Sequence, residues 1–221
     1  AYVIGWIVLQ FFNFSMLSYP AGVNPSPMGA VPFYAKGGPL EKFASMAPTG
    51  PFLWEHAISF YLWGVVCLFG LLMINFWPIS ALNVRQPLFG ILVTILALII
   101  SYVINLICID MLKVEPLRCF LYGISYVFGI LLILITLEMW PGRAIRGLAG
   151  GFFNLLVCVG IAIAAYKCLL AFCNWHFGDA MKYPDDIFSM ATLMLGMIFP
   201  IWAAYSDLFD FWPLKPPPTP E

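Results

Sequence analysis

Charge is what this chain has least of. Of its 221 residues only 10% are Asp, Glu, Lys or Arg, and the formal charges nearly cancel at -1. No basic stripe is present to neutralise phosphates, which excludes nucleic acid as a partner. Histidine is scarce, with 2 copies, and the 6 cysteines form neither a CxxC pair nor a Cys/His ligand spacing. The cysteines are therefore expected to act as small apolar packing residues. GxSxG, HExxH, P-loop and dinucleotide-binding motifs are missing, so neither enzymatic activity nor a cofactor is expected. Ala1 already stands inside an apolar run with no basic leader or cleavage site, and a longer start is expected before it.

What is present is apolar. Hydrophobic residues make up 62% of the chain, aromatics 17%, and mean hydropathy is +0.93. A soluble domain needs far more polar surface than that. A spanning helix needs about 20 apolar residues. Six segments qualify, at about 1–18, 53–77, 87–109, 117–140, 148–173 and 187–211. These runs are too long and continuous for the alternating strands of a membrane barrel. The expected fold is an all-α integral membrane protein, a single domain of six transmembrane helices over residues 1–221. A long extramembrane loop, 19–52, is dense in Pro and Gly. Through Phe33, Tyr34, Phe43 and Met46 it is expected to fold over one mouth of the bundle; the plain alternative is a connector.

The face where the first helix ends is designated side A; that where the second, fourth and sixth end is side B. The short side B loops, 78–86 and 141–147, carry Arg85, Arg143 and Arg146 and no acid. The positive-inside rule then favours side B, and with it both termini, as cytoplasmic. A bacterial or archaeal inner membrane is the expected location.

A motif recurs at the side B ends. Asn75-Phe76-Trp77-Pro78, Glu138-Met139-Trp140-Pro141 and Asp210-Phe211-Trp212-Pro213 each close an apolar run. Trp77 and Trp140 stand 63 residues apart, Trp140 and Trp212 72 apart. Three two-helix hairpin repeats, in one orientation about an axis normal to the membrane, would produce this pattern. A simpler account also serves: Trp marks the membrane interface and Pro stops a helix.

Under the repeat reading, Asn75, Glu138 and Asp210 form a polar ring at side B, with Asp207 one turn before Asp210. Such a ring would select cations or hydrogen-bonding neutral solutes. Otherwise these are separate interfacial residues paired with Arg85, Arg143 and Arg146. On side A, His56, His176, Glu55 and Asp110 could form a pH-sensing or metal-binding rim, or could simply be solvated. Lys167 either snorkels to the side A interface or pairs with an acid such as Asp110. Asn13, Asn105 and Asn154 are expected in helix–helix hydrogen bonds, and Gly64, Gly70, Gly123, Gly129, Gly147, Gly150 and Gly151 at close backbone approaches. Aromatics of the even-numbered helices, among them Trp63, Tyr122, Tyr126 and Trp202, could line a narrow pore or pack against lipid.

The stretch FYLWGVVCLFGLLMIN, residues 60–75, followed by a short loop and another span, resembles a hairpin of the AmiS/UreI family of urea and amide channels. The resemblance is one of architecture. It implies six helices in three two-helix repeats, an aromatic constriction in each protomer, a ring-shaped homo-oligomer, and an acid in the last helix that Asp207 or Asp210 would match. The family's chain begins outside the cell, whereas the charge pattern here places the N-terminus inside, and the 19–52 segment has no counterpart. The expected function is a channel or facilitator for a small neutral or weakly acidic solute. The alternative is a membrane subunit of a larger redox or monooxygenase complex, contacting a metal or quinone through its His and acidic residues. The lipid bilayer is the expected partner in either case.

Overall fold

The structure, a computed structural model, describes residues 10–13, 41–47, 49–145, 147–178 and 190–209. Helix α1 runs over Trp54–Met73 and α2 over Leu88–Asn105, which ends in a π-helical turn, Leu106–Met111. Helix α3, Pro116–Leu131, ends in a second π turn, Leu132–Thr136. Helix α4 spans Leu148–Phe177. A third π turn, Leu193–Ile198, leads into α5, Phe199–Phe209. A short parallel pair, β1 (Phe12–Asn13) and β2 (Phe52–Leu53), departs from the all-α expectation.

Four of these helices are long and apolar enough to cross a membrane: Trp54–Met73, Leu88–Met111, Pro116–Thr136 and Leu148–His176. The expected first span, 1–18, falls almost wholly outside the described residues, as do Asp210, Trp212 and the third motif copy. Phe33 and Tyr34 of the loop 19–52 lie outside them too. Phe43 and Met46 sit in an exposed 3-10 turn, Glu41–Met46, which buries no residue.

Burial is inverted relative to a soluble bundle. On α2 the buried face is Val93, Ala97, Ser101 and Asn105, at every fourth residue. The opposite face, Leu88, Ile91, Ile95, Ile99, Tyr102 and Leu106, is exposed. A helix with small and polar residues inside and large aliphatics outside is solvated by hydrocarbon, not water. Helix α3 is the central element, with 61% of its apolar window buried against 17% for α4. It packs on α1 and α4 through Val66, Met73, Val127, Ile130, Ile133 and Cys158. The α5 region closes on α3 and α4 through Met190, Ala191 and Met194.

A polar knot ties α1, α2 and α3 near side A. The Ser59 hydroxyl donates to Asn105 Oδ1 at 2.7 Å, and Asn105 Nδ2 donates to the Ser101 carbonyl at 2.9 Å. Ser101 Oγ donates to the Phe60 carbonyl at 2.6 Å, and Trp63 Nε1 donates to the Cys119 carbonyl at 3.1 Å. Ser59 and Asn105 are buried, so each needs the other. Ser59→Ala and Asn105→Leu should each destabilise by about 1 kcal/mol, and the double variant by about 0.6 kcal/mol less than their sum. Reversible SDS unfolding in mixed micelles measures the coupling. Strict additivity would mean the two side chains do not support one another.

Candidate functional site

The two described copies of the Trp-Pro motif have the same backbone. Asn75 and Phe76 take φ of 53° and 57°, and Glu138 and Met139 take 46° and 66°. Both Trp–Pro bonds are cis. The hydrogen bonds correspond: Trp77 N donates to Ile74 O at 3.1 Å and Trp140 N to Leu137 O at 2.8 Å. Ser80 N donates to Phe76 O at 3.1 Å, and Arg143 N to Met139 O at 2.9 Å. Two successive left-handed residues reverse the chain and end the helix.

In both copies this turn carries the polar residue outward. Asn75 and Glu138 are exposed. Glu138 pairs with Arg143, Nη1 to Oε2 at 3.0 Å, and the same Nη1 donates to the Glu138 carbonyl at 3.0 Å. Trp77 and Trp140 are partly exposed beside them, and Trp77 meets Phe152 of α4 edge to face at 6.1 Å. In the second copy Glu138 thus has one of the nearby Arg residues as its partner. Asp207 lies on α5, but its side chain is outside the described residues, so the fourth member of the expected set stays unplaced.

Helix α4 holds both turns. Asn154 is 0% exposed; its Oδ1 accepts from Gly142 N at 2.8 Å and its Nδ2 donates to the Met139 carbonyl at 2.7 Å. A β-carbon on Gly150 would fall against the carbonyl oxygens of Gly142 and Ile145; one on Gly151 would fall against that of Met73. Gly150 thus seats the second turn and Gly151 the end of α1. Gly129 approaches the backbone of Cys158 in the same way. Gly64 and Gly70 meet only side chains, at 3.8 and 3.6 Å, so for them the expected close backbone approach does not occur.

The side A residues are not gathered into a metal site. Among the described residues no three His, Cys, Asp or Glu side chains come together in a group able to hold an ion. His56 is half-buried near the start of α1, and its Nδ1 has no hydrogen-bond partner among the described residues. Glu55 precedes it, Asp110 is exposed in the π turn of α2, and His176 stacks on Phe172 near the end of α4 with ring centroids 5.8 Å apart.

Among the described residues an open cleft of about 710 Å³ lies between α1, α2, α3 and α4. Its walls include Trp63, Gly70 and Ile74 of α1, and Ile100 and Ile104 of α2. Tyr122, Ser125 and Tyr126 of α3 form its floor, and Leu155, Val159, Ile163, Tyr166 and Lys167 of α4 its far wall. Tyr122 and Tyr166 meet edge to face at 5.5 Å. Ser125 Oγ donates to the Leu121 carbonyl at 3.0 Å, and Tyr126 OH donates to the Leu155 carbonyl at 2.9 Å. Lys167 is the one charged residue in the lining, and it is exposed. Neither Asn75 nor Glu138 lines the cleft. Trp63, Tyr122 and Tyr126 were among the aromatics named from sequence as lining a pore or packing against lipid, and they line this cleft; Tyr166 and the α4 wall were not named. Their signal is the spacing 155, 159, 163, 166, one face of a helix, which reads from sequence like any lipid-facing stripe.

Comparison with protein-family models, with curated proteins and with solved structures finds no match to the chain.

Proposed function

We propose that the protein is a membrane channel or facilitator for a small, weakly acidic solute, with its path through the cleft between α1 and α4. The aromatic lining and single cationic residue of a 710 Å³ cleft carry this reading. Sites for small ligands are concave, mostly apolar and hold a few placed polar groups, with volumes of about 300–1,000 Å³. Lys167 favours an acid over a neutral amide. The protein acts as a homo-oligomer with one path per protomer, in a bacterial or archaeal inner membrane with side B cytoplasmic. The exposed apolar faces of α2 and α4 supply surface for lipid and for neighbouring copies. Asn75 and Glu138 stand outside the path.

Stopped-flow light scattering on proteoliposomes tests this, with acetate, urea, acetamide and glycerol gradients at pH 5 and 7. Acetate flux above that of empty liposomes is expected. Filling the cleft with Val159→Trp or Ile163→Trp, both at partly exposed positions, should cut that flux about tenfold or more, as expected when a path is narrowed below its solute. Glu138→Gln should leave it unchanged. Flux that survives both tryptophans but falls with Glu138→Gln would move the path to the side B ring. The absence of flux for every solute would sink the transport reading and leave the partner-subunit alternative.

A further inference from the structure

The cleft narrows its own choice of ligand. Resting on the site reading above, we propose that its ligand is a single-chain amphiphilic carboxylate, the hydrocarbon tail lying between α2 and α4 and the carboxylate at Lys167.

The tail follows from hydrogen-bond satisfaction. Trp63 Nε1, Ser125 Oγ and Tyr126 OH all line the cleft, yet each already donates to a backbone carbonyl, of Cys119, Leu121 and Leu155. A sugar or polyamide passing these three groups would lose water and find their donors engaged, the remaining polar side chains, Tyr122, Tyr166 and Lys167, standing together at the head-group end. A hydrocarbon chain loses nothing there and gains contact with Val66, Leu71, Ile100, Ile104 and Val159. From Leu155 to Lys167 the α4 wall is about 18 Å long at 1.5 Å per residue. That is more than half of the roughly 30 Å hydrocarbon core, so the cleft is long enough to take an extended chain.

The head follows from charge. Lys167 stands at one end of this wall, near Tyr122 and Tyr166, and the lining contains no acid. Among the described residues no carboxylate lies within ion-pair distance of it. An ammonium beside an apolar slot is complementary to one anionic group on a long tail. Among the described residues α2 and α4 do not pack closely on each other, and the gap between them is where the tail enters.

The full-length protein in zwitterionic nanodiscs is titrated with 2-bromododecanoate and, separately, with 2-bromododecanol, whose bromine sits beside the head group, following tryptophan fluorescence. Bromine quenches only at short range, and Trp63 is in the lining. A saturable quench by the carboxylate, absent in Trp63→Phe, is expected. Lys167→Met should weaken the carboxylate about tenfold or more, the loss of one charge-assisted hydrogen bond, and leave the alcohol unchanged. Equal binding of acid and alcohol, indifferent to Lys167, would overturn the head-group assignment. A saturable quench by brominated phosphatidylglycerol in place of the fatty acid would overturn it in favour of a resident lipid. No saturable quench from any probe would overturn the ligand site. Saturable carboxylate binding without acetate flux would leave this inference standing and remove the transport reading; flux without amphiphile binding would do the reverse.

Discussion

Asn154→Ala should lose about 3 kcal/mol of stability, while Glu138→Gln should stay within about 0.5 kcal/mol of the parent protein. The contrast comes from position. Glu138 is exposed, its side chain 66% accessible, and its pair with Arg143 is of the surface kind that contributes little. Asn154 is fully buried and holds two backbone groups at once, the Gly142 amide and the Met139 carbonyl. Alanine fills neither role, and both groups are left without a partner where water is scarce. Side-chain hydrogen bonds between membrane helices average only about 0.6 kcal/mol, because the separated helices find other partners. Here the partner is a fixed turn, so that compensation is not open to it. Asn154→Asp should fail as well, since a carboxylate cannot donate to Met139. Reversible SDS unfolding followed by tryptophan fluorescence reads the difference. If Asn154→Ala unfolds no more easily than Glu138→Gln, the clamp does not hold the turn.

Gly150→Ala and Gly151→Ala should each cost about 3 kcal/mol or abolish monodisperse protein altogether, whereas Gly160→Ala should stabilise by up to about 1 kcal/mol. All three glycines lie on α4, so intrinsic helix preference favours alanine equally at each. What differs is the neighbour. At Gly150 the added methyl meets the backbone oxygens of Gly142 and Ile145, the latter at 2.5 Å; at Gly151 it meets the Met73 oxygen. Neither can rotate away as a side-chain tip would. At Gly160 nothing lies within 4 Å. Size-exclusion profiles and thermal unfolding of the three variants in detergent decide the matter. Equal behaviour of Gly150→Ala and Gly160→Ala would show that the turns do not bear on α4.

The spans α1 to α4 were legible because a bilayer imposes length and hydropathy so strictly. The expected 87–109 and 117–140 differ from Leu88–Met111 and Pro116–Thr136 by a few residues at each end. The expected 53–77 overshoots α1 because Ile74, Phe76 and Trp77 continue its apolar run with only Asn75 between them, while the chain at Asn75 and Phe76 has already turned left-handed. That turn also decides where Asn75 and Glu138 point. A threefold repeat would bring them around a common axis; in the structure each stands in a pair of positive-φ residues and is exposed. The Trp-Pro recurrence was visible as a pattern of letters; its meaning as one repeated turn lay in the backbone. Asn105 behaves as the helix–helix residue it was expected to be. Asn154 instead reaches from a helix to a turn, which no local pattern announces. The three π turns and the β1–β2 pair left no trace in composition or periodicity. The cleft escaped notice for a related reason. Its lining is as apolar as a lipid-facing surface, and only the distance between α2 and α4 separates the two.

Helix ends in most proteins fray, and a span can gain or lose a turn as its surroundings change. Two consecutive left-handed residues remove that freedom. Phe76 N donates to Leu71 O at 2.6 Å and Met139 N to Ile133 O at 2.8 Å, so each reversal is locked to a named residue. Helix α1, 20 residues and about 30 Å long, therefore has a fixed stop at this end. It cannot meet a thicker bilayer by winding further. Mismatch falls instead on tilt or on the lipid itself, which makes the protein a gauge of the membrane thickness in which it can sit upright.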